Sequence, residues 1–264
     1  MDPLDVALAV AREAGDLLTE AYGRRHAAVR KRTDIDLVTE YDERSEALIV
    51  ERLHAAFPGD LIVGEEGGER GQASSARWYV DPIDGTTNFA HGLPIFCVSI
   101  AREVDGVLQC GVTHAPILGL TFAARRGGGA TCNGAPLRVS DEGTLKGALL
   151  STGFPYDRHT AAEANLEQFV AFKRRAQGVR RLGSAALDLA FVARGSLDGF
   201  WEMKLKPWDM AVGALLVEEA GGRVTGWSGE PISLELGAVV ASNGPLHEPM
   251  LEVLRQVGIP EAAG

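Results

Sequence analysis

Two aspartates three residues apart end an apolar run, directly before a glycine and two threonines. The stretch reads YVDPIDGTTNF over residues 79–89, so Asp81 and Asp84 flank Pro82. The proline predicts the end of strand pairing, and residues 84–87 predict the start of a helix. Two carboxylates that face one small space raise each other's pKa unless a cation lies between them. The pattern therefore favours a site for a hard divalent ion.

Mg²⁺ suits such a turn because it prefers carboxylate and carbonyl oxygens and binds through few protein ligands together with substrate phosphate. A bridging Asp81 could hold two ions ~3.5–4 Å apart, the separation used in phosphoryl displacement. Gly85 would let backbone amides approach a phosphate oxygen at the helix start. The Thr86 hydroxyl could orient or deprotonate a water, provided that another acid accepts from it. The turn is predicted to be a metal and phosphate cradle.

Each acid of the predicted site also has an ordinary explanation. Asp84 could be a turn former or a helix cap, and Asp209 could simply cap an amphipathic helix. Glu65 could lie in a solvated loop, and Glu202 in an exposed strand. Only their joint placement at predicted strand ends and helix starts favours a functional site.

The first half of the chain reads as helices followed by strands. Apolar residues at helical spacing predict a helix over about 3–21, and a second helix is predicted over about 39–57. Strands follow in LIVGEE, RWYVD, FCVSIARE, VLQCGVTHA and LTFAARR, and GGGATCNGAPL is predicted to be a glycine-rich turn region. We define residues 1–140 as an N-terminal α+β half with most of the metal ligands.

Residues 141–264 alternate between strands and helices and are predicted to form a C-terminal α/β half that completes the site. Helices are predicted over about 161–176, 185–194 and 209–220, and strands in GALLSTG, VRRLG, DGFWEM, GRVTG and AVVASN. No linker separates the halves, so we predict one shared sandwich of the α/β class, α+β in type. Ligands collect at strand ends in such sheets.

Composition narrows the function classes. The 264 residues carry 26 Lys and Arg against 36 Asp and Glu, a net charge of −10, without a basic stripe; direct binding of nucleic acid is not expected. Cys97, Cys110 and Cys132 show no paired metal spacing, which fits a reducing compartment. The acidic N-terminal stretch lacks the features of a signal peptide or a membrane span, so we expect a soluble, cytoplasmic protein.

Three segments carry a resemblance to a known family: GEE at 64–66, DPIDGTTNF at 81–89 and KPWDMAVGALLVEEAGG at 206–222. They resemble the inositol monophosphatase family of lithium-sensitive, Mg²⁺-dependent phosphatases. DLVTEYD at 36–42, GGGATCNG and DGFWEM extend the likeness over nearly the whole chain. The resemblance implies a layered αβαβα sandwich of the inositol monophosphatase and fructose-1,6-bisphosphatase kind, commonly a homodimer, that hydrolyses phosphate monoesters.

The resemblance also implies a metal site with two or three Mg²⁺ ions, for which Mn²⁺ can substitute. Asp81 would bridge two ions, Glu65 would serve the first, and Asp84 would hold the second together with Asp209. The backbone carbonyl of Ile83 matches a further ligand.

The same resemblance assigns the reacting groups. Thr86 matches the residue that helps to activate the attacking water, Asp42 matches its acidic partner, and Glu65 would hold that water. The amides of Gly85 and Thr86 match phosphate contacts. Water attacks directly, so no phosphoenzyme is implied.

For the alcohol part of the substrate, Glu202 matches a residue that hydrogen-bonds a ring hydroxyl. Gly183, Ser184 and Ala185 match the start of a substrate-lining helix. Arg180 either approaches the same pocket or is exposed, as arginines commonly are. Outside these groups, Lys31 aligns with a loop lysine near the metals, and a solvated basic loop is an equal alternative. His114 departs from the family pattern and is predicted to be structural, which leaves fine specificity open.

These features predict Mg²⁺-dependent hydrolysis of inositol 1-phosphate or a similar polyol phosphate. Alternatives with the same chemistry are fructose 1,6-bisphosphate, histidinol phosphate, or a broad range of sugar and nucleotide phosphates, because small differences between polyols change binding by only ~1–3 kcal/mol. A regulatory protein that binds the transcription machinery is an alternative of another class, and an inactive structural homologue is a third.

Overall fold

A computed structural model describes residues 1–23, 28–30, 37–161 and 163–258. Lys31 lies outside these ranges. The helices of the described residues are α1 (Pro3–Ala21), α2 (Glu40–Ala56), α3 (Thr86–Ala90), α4 (Leu166–Lys173), α5 (Ala185–Ala193), α6 (Pro207–Glu219) and α7 (His247–Val257). Across the described ranges, none of these helices combines the length and the apolar character needed to cross a bilayer.

The strands form one two-stranded, one eight-stranded and one five-stranded sheet. They are β1 (Ala28–Arg30), β2 (Leu37–Thr39), β3 (Leu61–Gly64), β4 (Gly68–Arg70), β5 (Ala76–Asp84), β6 (Cys97–Val104), β7 (Val107–Ala115), β8 (Leu120–Arg125), β9 (Gly129–Cys132), β10 (Ala135–Pro136), β11 (Leu149–Thr152), β12 (Gly178–Arg180), β13 (Gly199–Glu202), β14 (Arg223–Thr225) and β15 (Val239–Ser242).

The larger sheet has the order β10-β9-β8-β7-β6-β5-β3-β4, and β3 and β5 are parallel while the other neighbours are antiparallel. The smaller sheet has the order β12-β11-β13-β15-β14, with β11 parallel to both of its neighbours. All strands of the larger sheet lie between Leu61 and Pro136, and all strands of the smaller one between Leu149 and Ser242.

Alternating side chains of each sheet face different helix layers. In β5, Trp78 and Val80 join the apolar cluster of α1 and α2, whereas Tyr79 joins the cluster of α5 and α6. In β13, Phe200 faces α5 and α6, and Trp201 joins the cluster that contains α4 and α7. The layers therefore follow in the order αβαβα, which confirms the predicted layered sandwich of the α/β class.

The central layer explains why α5 and α6 are apolar on nearly every side. Both helices lie between two sheets, so little of either surface meets water. The two helices also pack closely against each other: a Cβ atom at Gly213 would lie 2.4 Å from Leu189. This packing brings the N-termini of both helices to the edge of the larger sheet.

Three local predictions differ from the structure. The glycine-rich stretch is not only turns, because β9 and β10 pair within it as an edge hairpin. The helix predicted from about residue 161 begins at Leu166, since Asn165 adopts a left-handed conformation (φ 61°) and its Nδ2 donates to Thr152 Oγ1 (2.8 Å). Helix α7 was not predicted, although the apolar spacing of Met250, Leu251 and Leu254 signals it.

Candidate active site

The parallel pair β3 and β5 brings the first two acids together. Gly64 pairs with Val80, and the Glu65 amide continues the ladder by donating to the Val80 carbonyl (3.1 Å). Parallel strands end at the same edge of a sheet. Glu65 therefore emerges beside Asp81, the residue that follows Val80 in β5.

Pro82 does not end the pairing of β5, contrary to the prediction from sequence. Asp81 pairs with Ser99 and Asp84 pairs with Cys97, so that two residues lie opposite one in a bulge. Proline fits a bulge because it has no amide hydrogen to contribute to the ladder. A bulge bends the strand, which turns both aspartates toward one space.

Gly85, rather than Asp84, stands at the N-terminus of α3. Its backbone is left-handed (φ 98°), and a Cβ atom would lie 2.8 Å from the Ile95 carbonyl oxygen. A side chain here would be both strained and in collision with fixed backbone. The backbone at Gly85 therefore passes close to the Ile95 carbonyl group, beside the position predicted for the phosphate.

Asp84 is held by the start of α5, 100 residues further along the chain. Its Oδ2 accepts hydrogen bonds from Ser184 Oγ (2.6 Å) and from the Ala186 amide (2.7 Å). The Cys97 thiol also approaches it (3.8 Å). The structure thus places Gly183, Ser184 and Ala185 beside the aspartate pair, at the lining of one cleft.

Asp209 reaches the same space from α6. Its Oδ2 accepts from the Lys206 amide (2.6 Å), so the ordinary capping role is present too. The Trp208 carbonyl accepts from Ser99 Oγ (3.1 Å), and Ser99 is the strand partner of Asp81. This contact fixes the N-terminus of α6 against the strand that carries the aspartate pair.

Thr86 and Asp42 form the predicted hydroxyl and acid pair. Thr86 Oγ1 donates to Asp42 Oδ1 (2.8 Å), and the Ile83 carbonyl lies 3.0 Å from the same hydroxyl. Thr39 donates to Asp42 Oδ2 from both its amide and its hydroxyl, each at 2.7 Å. Asp42 is fully buried, so these donors fix its orientation and leave Oδ1 for Thr86.

The described residues form a cleft of about 170 Å³, and Thr86 is one of the residues that line it. Six carboxylates and three basic side chains line it: Glu65, Asp81, Asp84, Asp188, Glu202 and Asp209 against Arg181, Lys204 and Lys206. The backbone of Ile83, Gly85 and Thr86 borders the same space. Because the cleft has twice as many acids as bases, a bound cation or protonation of some acids is needed to neutralise the excess negative charge.

Burial and mutual repulsion raise the pKa of the central acids. For Asp81 the largest cause is burial, followed by the charges of Glu65, Asp84 and Asp209. Burial also raises the pKa of Asp209 well above its ordinary value. At Asp84 burial raises the pKa, against the hydrogen bonds from α5. The charges of these carboxylates therefore repel one another across a space that contains little water to screen them.

This oxygen-rich donor set fits a hard divalent cation that keeps waters and takes further ligands from phosphate. Within the described ranges, no three His, Cys, Asp or Glu side chains already stand close enough to hold a metal ion. The acids converge on one cleft but are not drawn together into a closed cage. Glu65, Asp81, Asp84, Asp209 and the Ile83 carbonyl are the groups that would hold the ion.

Glu202 lies at the end of β13 and is buried, not exposed. A Cβ atom at Gly153 would lie 2.0 Å from its Oε1, so the carboxyl group packs directly on the backbone just after the end of the neighbouring strand β11. Burial and the charge of Asp188 raise the pKa of Glu202 to about 8. Glu202 therefore holds a proton more tightly than a free glutamate does, and in its protonated form it can donate as well as accept.

Two further residues from the sequence analysis, Arg180 and His114, are not among those that line the cleft. Arg180 ends the edge strand β12 with an exposed side chain that folds against Gly178, and its neighbour Arg181 lines the cleft instead. His114 is structural, as predicted: its Nδ1 lies 2.9 Å from Thr121 Oγ1.

Sequence reasoning missed Asp188, which also lines the cleft. It follows Ser184 by one helical turn, and this spacing was the available signal.

Comparison with known proteins agrees with this geometry. A model of the inositol monophosphatase family matches residues 2–258. The Nus factor SuhB of Pseudomonas aeruginosa is 43% identical over 258 residues, covering 96% of this chain and 95% of that protein. The inositol-1-monophosphatase of Synechocystis is 40% identical over 252 residues, covering 95% and 88%. The solved inositol monophosphatase of Anabaena superimposes with a TM-score of 0.89 at 41% identity, covering 99% and 98%.

The chain belongs to the inositol monophosphatase family. Its general activity is that of a phosphatase, and the family is generally metal-dependent.

The raised pKa values predict that metal-free protein loses stability as the pH rises. These acids hold their protons more tightly in the folded state, so they favour folding below their ordinary pKa of about 4. That advantage is lost as the pH climbs through the raised values, to about 8 for Glu202. Saturating Mg²⁺ should raise the melting temperature by roughly 5–10 °C at about pH 8, and by less at about pH 5, where protons compete.

Thermal melts in chelator and in Mg²⁺ at both pH values test this prediction. A shift of the same size at the two pH values would show that the acids do not bind the ion, since only their titration makes the effect depend on pH.

Proposed function

We propose that this protein is a Mg²⁺-dependent phosphomonoesterase that hydrolyses inositol 1-phosphate or a similar polyol phosphate. The observation that carries the proposal is the hydrogen bond from Thr86 Oγ1 to Asp42 Oδ1 at the border of an acid-lined cleft. A hydroxyl that donates to a buried carboxylate still has lone pairs with which to accept a proton from water.

A bound divalent cation would neutralise the acids and lower the pKa of water. The protein's own contribution is the proton path. As the oxygen of a water molecule forms a bond to phosphorus, its proton moves to Thr86 Oγ1, and the Thr86 proton moves to Asp42. The bond between phosphorus and the alcohol oxygen breaks, and the released alkoxide takes a proton from solvent water. Burial raises the pKa of Asp42 and so strengthens it as the final acceptor.

The backbone at the start of α3 supports phosphate binding. The first amides of a helix have no carbonyl partner within the helix, and Gly85 and Thr86 supply two such amides at the border of the cleft. The alcohol would lie toward Glu202, whose protonated carboxyl can donate to one hydroxyl and accept from another.

The test is phosphate release by chelator-treated protein before and after Mg²⁺ is added back. Inositol 1-phosphate and p-nitrophenyl phosphate are the two substrates, and Asp84→Asn is the control variant. We expect wild-type protein to turn over only with Mg²⁺ and the variant to be nearly inactive. Silence on inositol 1-phosphate alone would reject the inositol assignment, whereas silence on sugar, histidinol and nucleotide phosphates as well would reject the phosphatase.

A second candidate is a regulatory role in transcription, favoured by relatives in Pseudomonas aeruginosa and Escherichia coli that are named Nus factor SuhB. The same variant separates the two functions. Binding to RNA polymerase should survive Asp84→Asn if that role is independent of hydrolysis. The homodimer remains a prediction, which the mass of the protein in solution would test.

A further inference from the structure

Asp188 is a buried carboxylate without an evident structural purpose. It is 1% exposed, yet it lines the cleft. Among the described residues, no group donates a hydrogen bond to its Oδ1. Buried charged groups are rarely left unpaired in folded proteins, because burial without a partner is unfavourable. A buried carboxylate oxygen that has no donor and belongs to a cleft-lining side chain indicates a partner that arrives with a ligand.

A second buried polar group without a partner lies next to it. Ser151 in β11 is fully buried, and in the described structure its hydroxyl oxygen makes no hydrogen bond. Burial raises the pKa of Asp188 and the adjacent Ser151 hydroxyl lowers it, so this serine is a polar neighbour of the acid, while Asp188 Oδ1 has no donor in hydrogen-bonding geometry among the described residues. Of the two groups, Asp188 is the one that lines the cleft, so the hydrogen-bonding capacity open to a ligand is that of Asp188.

Glu202 belongs to the same end of the cleft. Ser151 pairs with Phe200, two residues before Glu202 in β13. The charge of Asp188 acts on Glu202, and Arg181 acts on both acids. We call Asp188 and Glu202, which both line the cleft, its acid floor.

The chemistry of the acid floor selects its ligand. Two acids favour a partner that offers several hydrogen-bond donors. The side chains of Phe154, Met203 and Trp208 add apolar surface to the same cleft, against which the C–H faces of a ring can pack. An uncharged, polyhydroxylated alcohol meets all of these conditions.

We propose that Asp188 is a specificity-determining residue that accepts a hydrogen bond from a hydroxyl group of an uncharged polyol monophosphate, beside Glu202. This inference rests on the proposed phosphatase function, and it narrows the substrate class. Asp188 acts on the alcohol and takes no part in the attack on phosphorus.

The experiment compares Asp188→Ala and the isosteric Asp188→Asn with wild type, in Mg²⁺, on two substrates. For inositol 1-phosphate, we expect the KM of the alanine variant to rise ~10–100-fold, the value of one hydrogen bond to a charged group. The asparagine variant should show a smaller rise. For p-nitrophenyl phosphate, which has no hydroxyl groups on its alcohol part, kcat/KM should stay within about twofold.

A stability readout separates this role from a structural one. Removing an unpaired buried acid should leave the melting temperature of Asp188→Asn unchanged or raise it. The matched control is Asp198→Asn, because Asp198 accepts from Ser140 Oγ (2.5 Å) and from the Leu149 amide (2.6 Å). That variant should melt lower and keep its KM for inositol 1-phosphate.

Each of the other outcomes would contradict the proposal and indicate a different role for Asp188. Equal losses on both substrates would place Asp188 in the reaction centre, and an unchanged KM for inositol 1-phosphate would remove it from the subsite. A larger loss on histidinol phosphate than on inositol 1-phosphate would make the acid floor a site for an ammonium group. If wild type hydrolyses neither inositol 1-phosphate nor p-nitrophenyl phosphate, the proposed function itself fails.

Discussion

The Asp81→Asn variant is expected to release phosphate at least ~10³-fold more slowly than wild type, while its metal-free form melts at a higher temperature. The loss follows because a bridging carboxylate helps to hold an ion that supplies several kcal/mol of transition-state stabilisation. The gain follows because Asp81 is the acid whose pKa is raised by burial and by three neighbouring carboxylates. Asparagine keeps an oxygen for the Ile83 amide, which donates to Asp81 Oδ1 (3.0 Å).

Phosphate release in Mg²⁺ and thermal melts in chelator measure the two effects on one preparation. Asp60→Asn is the matched control, because Asp60 is also buried but accepts from Trp78 Nε1 (2.9 Å) and pairs with Arg102 (2.8 Å). That variant should melt lower and remain active. If Asp81→Asn also melts lower in chelator, the charge repulsion inferred for the cleft is wrong.

The second large effect is expected for Thr86→Val, which replaces the hydroxyl by a methyl group of similar size. We expect kcat to fall ~10²–10⁴-fold, the usual contribution of a positioned proton acceptor, with little change in KM. Thr86→Ser should retain most of the activity, because it keeps the hydroxyl that donates to Asp42. Steady-state kinetics on inositol 1-phosphate with saturating Mg²⁺ separates kcat from KM.

Asp42→Asn provides a matched test of the same proton path. The two donors of Thr39 hold an oxygen at the Oδ2 position, so the new amide nitrogen must face Thr86. Thr86 would then accept instead of donate, and it could no longer pass a proton on. The double variant of Thr86→Val and Asp42→Asn should lose no more activity than either single variant. Additive losses would show that the two residues act separately.

Local sequence patterns were enough to pick out side chains that the fold brings to one cleft. Three features each occupy only a few residues of the sequence. They are the three-residue spacing of Asp81 and Asp84, the threonine directly after Gly85, and the acid at the start of α6. The layering was also predictable, because side chains alternate along the strands and recur at helical spacing along α1. Such patterns depend on near neighbours only, which is why they can be read without a structure.

The sequence could not predict which of two adjacent arginines reaches the cleft. Arg180 and Arg181 differ by one position, and a one-residue step in an extended chain turns a side chain to the opposite face. Ser151 of β11 pairs with Arg180 of β12, and this register determines which face of the strand each arginine side chain occupies. Only the neighbouring strand supplies this information.

By itself, the sequence determined which acids and which hydroxyl were predicted to act together, and the order of the elements that carry them. The tertiary structure decided how those atoms meet: the bulge at Pro82 turns Asp81 and Asp84 inward, and α5 reaches Asp84 from 100 residues away. It alone revealed the acid floor around Asp188, since an unpaired carboxylate is recognised only when all of its neighbours are known. The physical reason is that residue types and periodicity are local properties, whereas the meeting of strand ends and helix N-termini depends on how sheets and helices pack.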